Sequence, residues 1–273
     1  MRFSFRSYLK RLRSIILGIL IISVLPALLF GVNTHLQERV WEYYISGTKY
    51  LIFPDIIDKY QYSMTIFFSA LLIGLVFALV LTFIATLLPR FLQRAIVGFL
   101  TLLESLPDLF IVVALQVSIV YIYKKTGIVI YFYNDFSNPI YLMPILVLSI
   151  LPAIQLFKIT FLLMQEEQHK LYVTVARAMG LGRLYITLKH VFINIITSLF
   201  QYSKTIFVFM LSNLFIVEFV FNLNGIMYLL LNTKGVAFMG TALIIALPFS
   251  LLFEFVESNT VSENTKSMGE DAA

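Results

Sequence analysis

Long apolar runs separated by short polar ones dominate the chain, and the apolar runs have membrane-crossing length. A helix needs about 20 apolar residues to cross a hydrocarbon core of ~30 Å, and six windows qualify. They run from Ser14 to Val32, Met64 to Leu88, Ala95 to Tyr123, Ile140 to Met164, Ser203 to Phe221 and Val236 to Val256. Pro144, Pro152 and Pro248 fall inside spans, where neighbouring helices can re-satisfy carbonyls freed by proline. The first window follows Arg2, Arg6, Lys10, Arg11 and Arg13, as a signal peptide would, but its apolar stretch is long for a signal and points to an uncleaved anchor.

The third window is too long for one crossing, since Ala95 to Tyr123 at ~1.5 Å per residue would reach about 43 Å. Ser105-Leu106-Pro107-Asp108 supplies a break: a serine able to cap, a proline tolerated in a first turn, and an acid favoured at a helix N-terminus. Arg94 to Glu104 is therefore expected along the inner interface, with the crossing starting near Pro107.

Of 273 residues, 60% are hydrophobic and 13% charged, which excludes disorder and argues against a soluble globular fold. The expected class is an all-α membrane protein of about six transmembrane helices. With no cysteine, disulfides, thiolate metal sites and cysteine nucleophiles are excluded. The net charge of +5 gains meaning from its placement. With both termini cytoplasmic, twelve Lys or Arg lie inside and six outside, while Lys158 and Lys204 fall within spans. This is the positive-inside distribution, and it accounts for the surplus without nucleic acid as a partner. Trp41, Tyr43, Tyr44, Tyr50, Tyr60 and Tyr62 cluster in the outer loop as interfacial anchors do. Residues 1–256 form one expected transmembrane domain, and 257–273 a polar, disordered cytoplasmic tail.

Intramembrane charges are candidate functional groups by default. Lys158 and Lys204 lie near inner ends of their spans, where they can snorkel to the headgroups, and Glu218 lies near an outer end. Glu104 and Asp108 are four apart, but the helix break between them argues against a paired-carboxylate site. Pro107, Asp108 and Glu218 are kept as candidates for a substrate path. His35, His169 and His190 have no metalloprotease spacing, and neither a G-x-S-x-G elbow nor a phosphate-binding G-x-x-x-x-G-K-[ST] loop occurs. No cofactor, metal or catalytic residue is expected, and a proton relay lacks members. Active transport by such a chain would draw its energy from a partner.

The stretch from Glu166 to Asn194, within a loop of residues 165–200, is too polar to cross. Leu171 to Met179 is expected as a short helix with small Ala176 and Ala178 and basic Arg177, stopped by Gly180-Leu181-Gly182. A second helical pattern follows, with Leu184, Ile186, Leu188, Val191 and Phe192 apolar and Arg183, Lys189 and His190 polar. Small side chains let a partner approach closely, and Tyr172 and Arg177 are types that dominate interface energetics. On the residues alone, a docking knob and a purely structural reentrant loop are both open.

The run Tyr172-Val173-Thr174-Val175-Ala176-Arg177-Ala178-Met179-Gly180-Leu181, with Lys189-His190 and Asn194 downstream, resembles the EAA loop of binding-protein-dependent ABC importer permeases. The likeness is to the dipeptide/oligopeptide/nickel branch, with its Y-V-x-T-A-R-A-K-G-L pattern followed by R-H-x-x-x-N. Ser105-Leu106-Pro107, Met143-Pro144 and Glu218-Phe219-Val220-Phe221 through Gly225 resemble flanking family motifs in the same order. The chain departs from the pattern at Ile196-Thr197-Ser198, where a proline is usual, at Leu223-Asn224-Gly225, where a W-P-G-type turn is usual, and in its tail after Val256.

The resemblance implies a MetI-like bundle with cytoplasmic termini in the plasma membrane of a prokaryote. It implies a permease subunit that pairs with a second, homologous permease, receives substrate from an extracytoplasmic binding protein, and leaves ATP hydrolysis to a cytoplasmic ATPase. Leu171 to Gly182 would dock on that ATPase, with Tyr172, Ala176, Arg177, Ala178, Gly180 and Leu181 as coupling residues and Lys189 and His190 as outer contacts. Peptides are the expected substrates, with nickel chelates and other small solutes open. The alternatives are a membrane-integral assembly protein without transport activity, which the scarcity of buried polar groups would fit, and an ion-coupled carrier.

Overall fold

The computed structural model describes residues 9–10, 12–14, 16–21, 42–45, 48–127, 139–233, 238 and 240–248. In chain order its elements are strands β1 (Glu42–Ile45) and β2 (Thr48–Leu51), then helices α1 (Ile52–Leu87), α2 (Arg90–Glu104), α3 (Asp108–Thr126), α4 (Leu142–Gln168), α5 (Leu171–Ala178) and α6 (Arg183–Ile186). A π-helical turn, Thr187–Val191, leads into α7 (Phe192–Val220), and α8 (Ile226–Asn232) follows. Residues 240–248 are helical where described. Trp41, most of the first and sixth windows, and the C-terminal tail lie outside the described residues, as does the side chain of Lys204.

The residues group into two compact units, Met1–Met64 with Asn224–Ala273, and Thr65–Leu223. In the first, β1 and β2 pair antiparallel with Tyr43 opposite Tyr50 and Ile45 opposite Thr48, a small departure from an all-α chain. Helix α1 begins at Ile52, twelve residues before the expected start at Met64. Asp55, Asp58 and Gln61 interrupt the apolar run there, but Ile52, Ile56, Lys59 and Ser63 share one buried helical face. Tyr60 and Tyr62 therefore lie in a helix and not in a loop, and Tyr62 is buried. The Ser63 hydroxyl accepts the Ile226 N–H at 2.8 Å, at the start of α8. Lys59 Nζ donates to Asn224 Oδ1 and lies 5.7 Å from the Tyr228 ring centroid.

Among the described residues three helical segments are long and apolar enough to cross a membrane: Asp55–Leu87, whose first turns belong to the first unit, Asp108–Thr126 and Leu142–Gln168, the last two in the second unit. Thr205–Val220 of α7 is a shorter apolar stretch. On α1, Ala70, Gly74 and Ala78 lie four apart on one face, with both alanines fully buried. A Cβ on Gly74 would lie 3.1 Å from the Ser149 carbonyl oxygen of α4, so the missing side chain permits the close approach of these backbones. Phe67 of α1 meets Phe207 of α7 edge-on at 4.7 Å, and α4 packs along α7. Phe68, Leu72, Val76 and Val80 of α1 are exposed, as a lipid-facing surface would be.

The expected break in the third window is present, between α2 and α3. The expected serine cap on α3 is not made: the Ser105 hydroxyl turns back to the Leu102 carbonyl at 2.7 Å and so closes α2. Pro107, extended at ψ 138°, precedes α3, and Asp108 lies in its first turn. Helix α7 ends with Asn222 in the left-handed region (φ 49°), and the Leu223 N–H reaches back to the Glu218 carbonyl at 2.8 Å. Asn tolerates this conformation, which lets the chain turn here without a glycine.

Candidate functional site

Between α4 and α7 the polar loop folds into a small body of its own. After α5, Gly180 takes φ +78°, its N–H bonds the Arg177 carbonyl at 3.0 Å, and the Leu181 N–H bonds Ala176 at 3.2 Å. This is the expected glycine stop, closed as left-handed helix ends usually are. Val173 and Ala176 on the inner face of α5 pack with Ile186, Val191 and Ile195 against Met164, near the end of α4. Leu181 and Tyr172 border this cluster.

A buried carboxylate holds the loop to both flanking helices. Glu167, in the last turn of α4, accepts hydrogen bonds on Oε1 from the Tyr172 hydroxyl at 2.9 Å and from Asn194 Nδ2 at 3.2 Å. Its Oε2 lies 2.6 Å from Lys170 Nζ. Burial, with the adjacent Glu167 carboxylate contributing, raises the Tyr172 phenol above its ordinary pKa. A third tie runs from Arg183 Nη2 to the Thr86 carbonyl of α1 at 2.6 Å.

The expected coupling residues divide accordingly. Arg177, Ala178, Gly180 and Lys189 are exposed, and Lys189 Nζ lies 5.1 Å from the Tyr185 ring centroid, where hydrogen bonding to the Tyr185 side chain raises its pKa. His190 is partly exposed, edge-on to Tyr185 at 5.7 Å. Ala176 is a correction: it is buried in the loop's own core, because Val173 and Ala176, three apart, make the inner stripe of the helix. Tyr172 likewise turns its hydroxyl inward. The outward stripe is Leu171, Val175 and Met179, at i, i+4 and i+8, with Leu171 85% and Met179 73% exposed.

Beside the loop lies a cavity of about 1600 Å³ bordered by α2, α4, the loop and α7. Lys158 and Glu104 form an ion pair at its wall. Lys158 is thus paired with a carboxylate and is not the isolated snorkelling charge expected from its place in the span. Glu218 also departs from that expectation, being only 1% exposed one turn before the end of α7. Pro107 and Asp108 mark the start of α3, and none of these three substrate-path candidates lines the cavity. The sequence offered signals for two of the unforeseen groups: opposite charges in apolar helices require partners, and Glu167 stands three residues before Lys170.

The family model described as "Binding-protein-dependent transport system inner membrane component" matches residues 82–257, which contain α2 to α8 and the whole loop. The chain belongs to this family. Comparison with curated proteins gave no match. The permease is thus the inner-membrane component of an ABC importer, in a family whose members assemble with an ATPase and a substrate-binding protein and are generally not catalytic themselves. Its family segment begins in α1 at Thr82, four residues before the carbonyl that Arg183 binds.

Proposed function

We propose that the segment Leu171 to Gly182 is the docking element for the ATPase, and that the permease converts movement of that element into rearrangement of its membrane helices. The observation that carries this reading is the two-sided character of α5. Its inner stripe is fixed in a core shared with α4 and α7, while Leu171, Val175 and Met179 form an apolar ridge that no described residue covers. An exposed apolar ridge flanked by Arg177 and Ala178 has the composition of an interface core with a charged rim.

Force applied at the ridge would pass through Val173 and Ala176 to Met164 on one side and Ile195 on the other, and through Glu167 to Asn194. Tight packing transmits displacement because such a core yields little. ATP-driven approach of two ATPases would thereby rock α4 and α7, opening a path alternately to each side. In this reading the permease has six spans with cytoplasmic termini, lies in a prokaryotic plasma membrane, and works beside a second, homologous permease. The loop's likeness to the peptide branch supports peptides as cargo.

A cysteine placed at exposed Ala178 should cross-link to an ATPase subunit in the intact complex. Failure to capture any ATPase under conditions that preserve the complex would sink the docking assignment. Uptake that follows an ion gradient and ignores ATP would sink the energetic one.

A further inference from the structure

We propose that the cavity bordered by α2, α4 and the loop is a binding site for the headgroup of an anionic phospholipid. Arg90, Arg94, Arg177 and Arg183 all line it, together with Lys158 and a single acid, Glu104. Glu104 is already occupied by Lys158. Arg90, Arg94 and Arg177 make no ion pair among the described residues, so the cavity holds uncompensated positive charge around a space large enough for a phosphate group. A guanidinium fork suits phosphate oxygens, and basic pockets between membrane helices are known to take lipid headgroups.

Position and shape select a lipid over a free anion. Arg90 and Arg94 stand within the first turns after α1 ends at Leu87, and Gln165 and Gln168 line the cavity at the end of α4. The cavity thus lies at the ends of two membrane-crossing segments, where headgroups reside. On α2 a second face carries exposed Phe91, Leu92, Phe99 and Leu102, and exposed Leu162 of α4 lines the cavity itself. An anionic headgroup with acyl chains satisfies both the arginines and this apolar surface, whereas inorganic phosphate would satisfy only the first. Arg177 alone is shared with the rim of the α5 ridge, while Arg90, Arg94, Lys158 and Arg183 lie on other elements, so the site stands whether or not the ATPase docks there.

The test is lipid retention by the full-length permease in its assembled complex, exchanged into nanodiscs of equal phosphatidylglycerol and phosphatidylcholine and then washed in mild detergent. Mass spectrometry should find phosphatidylglycerol enriched over phosphatidylcholine. Each basic side chain near an anionic surface contributes about fivefold in affinity, so Arg90→Gln with Arg94→Gln should lower the enrichment by about thirtyfold. Both side chains are exposed, and an unchanged elution profile would show that the variant folds. Arg90→Lys with Arg94→Lys should keep most of the enrichment, and Lys124→Gln with Lys125→Gln, at the far end of α3, should keep all of it. Absence of enrichment, or an equal loss in the Lys124/Lys125 variant, would overturn the proposal. Loss of the lipid to inorganic phosphate added in the wash would mark a site for the free anion and overturn it equally.

Discussion

Between α1 and α4 two helices come close because atoms are missing: Ala70, Gly74 and Ala78 leave a smooth face, and the Ser149 carbonyl lies where a Gly74 side chain would begin. The loop a few turns away is fixed by added polar groups, with one buried carboxylate receiving a phenol, an amide and an ammonium. Close packing without directional bonds tolerates many apolar sequences, and small residues are what it requires. A polar hub depends on each member, since a partner left unsatisfied costs more than the bond contributed. The bundle should therefore be robust to most single changes and the loop fragile to a few.

Glu167→Ala should show the difference most sharply. It strands Tyr172 and Asn194 at a cost of about 3 kcal/mol, which would lower hydrogen-exchange protection across 171–195 by about a hundredfold while α1 and α4 stay protected. Equal loss in α1 would mean the two regions share one cooperative unit. Next comes Gly74→Leu, where overpacking against the Ser149 carbonyl costs about 2 kcal/mol. A lowered melting temperature in detergent with loop protection intact is the expected result, and a loosened loop would break the distinction from the other side. Gly180→Leu places a β-carbon at φ +78°, a strain of about 1–2 kcal/mol. ATP-dependent uptake should be lost while membrane insertion stays normal, and normal uptake would count against the loop as the coupling element.

The smallest effect belongs to Tyr172→Phe, which deletes one hydrogen bond worth about 1 kcal/mol. It also tests a pH dependence. The folded phenol titrates above its ordinary value of 10.0, chiefly through burial, so its contribution is fully present below that value and is lost as pH rises through the higher folded one. Loop protection should therefore fall at strongly alkaline pH in the unmodified protein by more than in the phenylalanine variant. Identical alkaline profiles would place the titrating group elsewhere.

Much of this fold was legible where a local rule acts alone. The break before Pro107 and the stop at Gly180 each rest on one residue's backbone chemistry, and both occur where the sequence places them. What escaped was set by distant partners. Lys158 and Glu104 meet across 54 positions, and no local pattern assigns one to the other. The start of α1 was hidden because its polar residues interrupt hydropathy without interrupting the buried stripe of Ile52, Ile56 and Ser63. The orientation of α5 was ambiguous for a related reason: in eight residues, valines at 173 and 175 and alanines at 176 and 178 fit either face. Only contact with Met164 and Ile195 decides that Ala176 points in.

The π-helical turn at Thr187–Val191 joins the short helix after Gly182 to α7 without a loop between them. A turn of this kind carries one residue more than its α counterpart, and each residue of an α-helix advances the azimuth by about 100°. The segment thus acts as a phase shifter in an otherwise rigid shaft. Winding the same five residues as α-helix would leave both helices in place yet turn the knob further around the axis of α7, by the azimuth that the wider turn gives up. The direction in which the knob faces is therefore set by the width of this turn, separately from anything that builds the knob or the shaft.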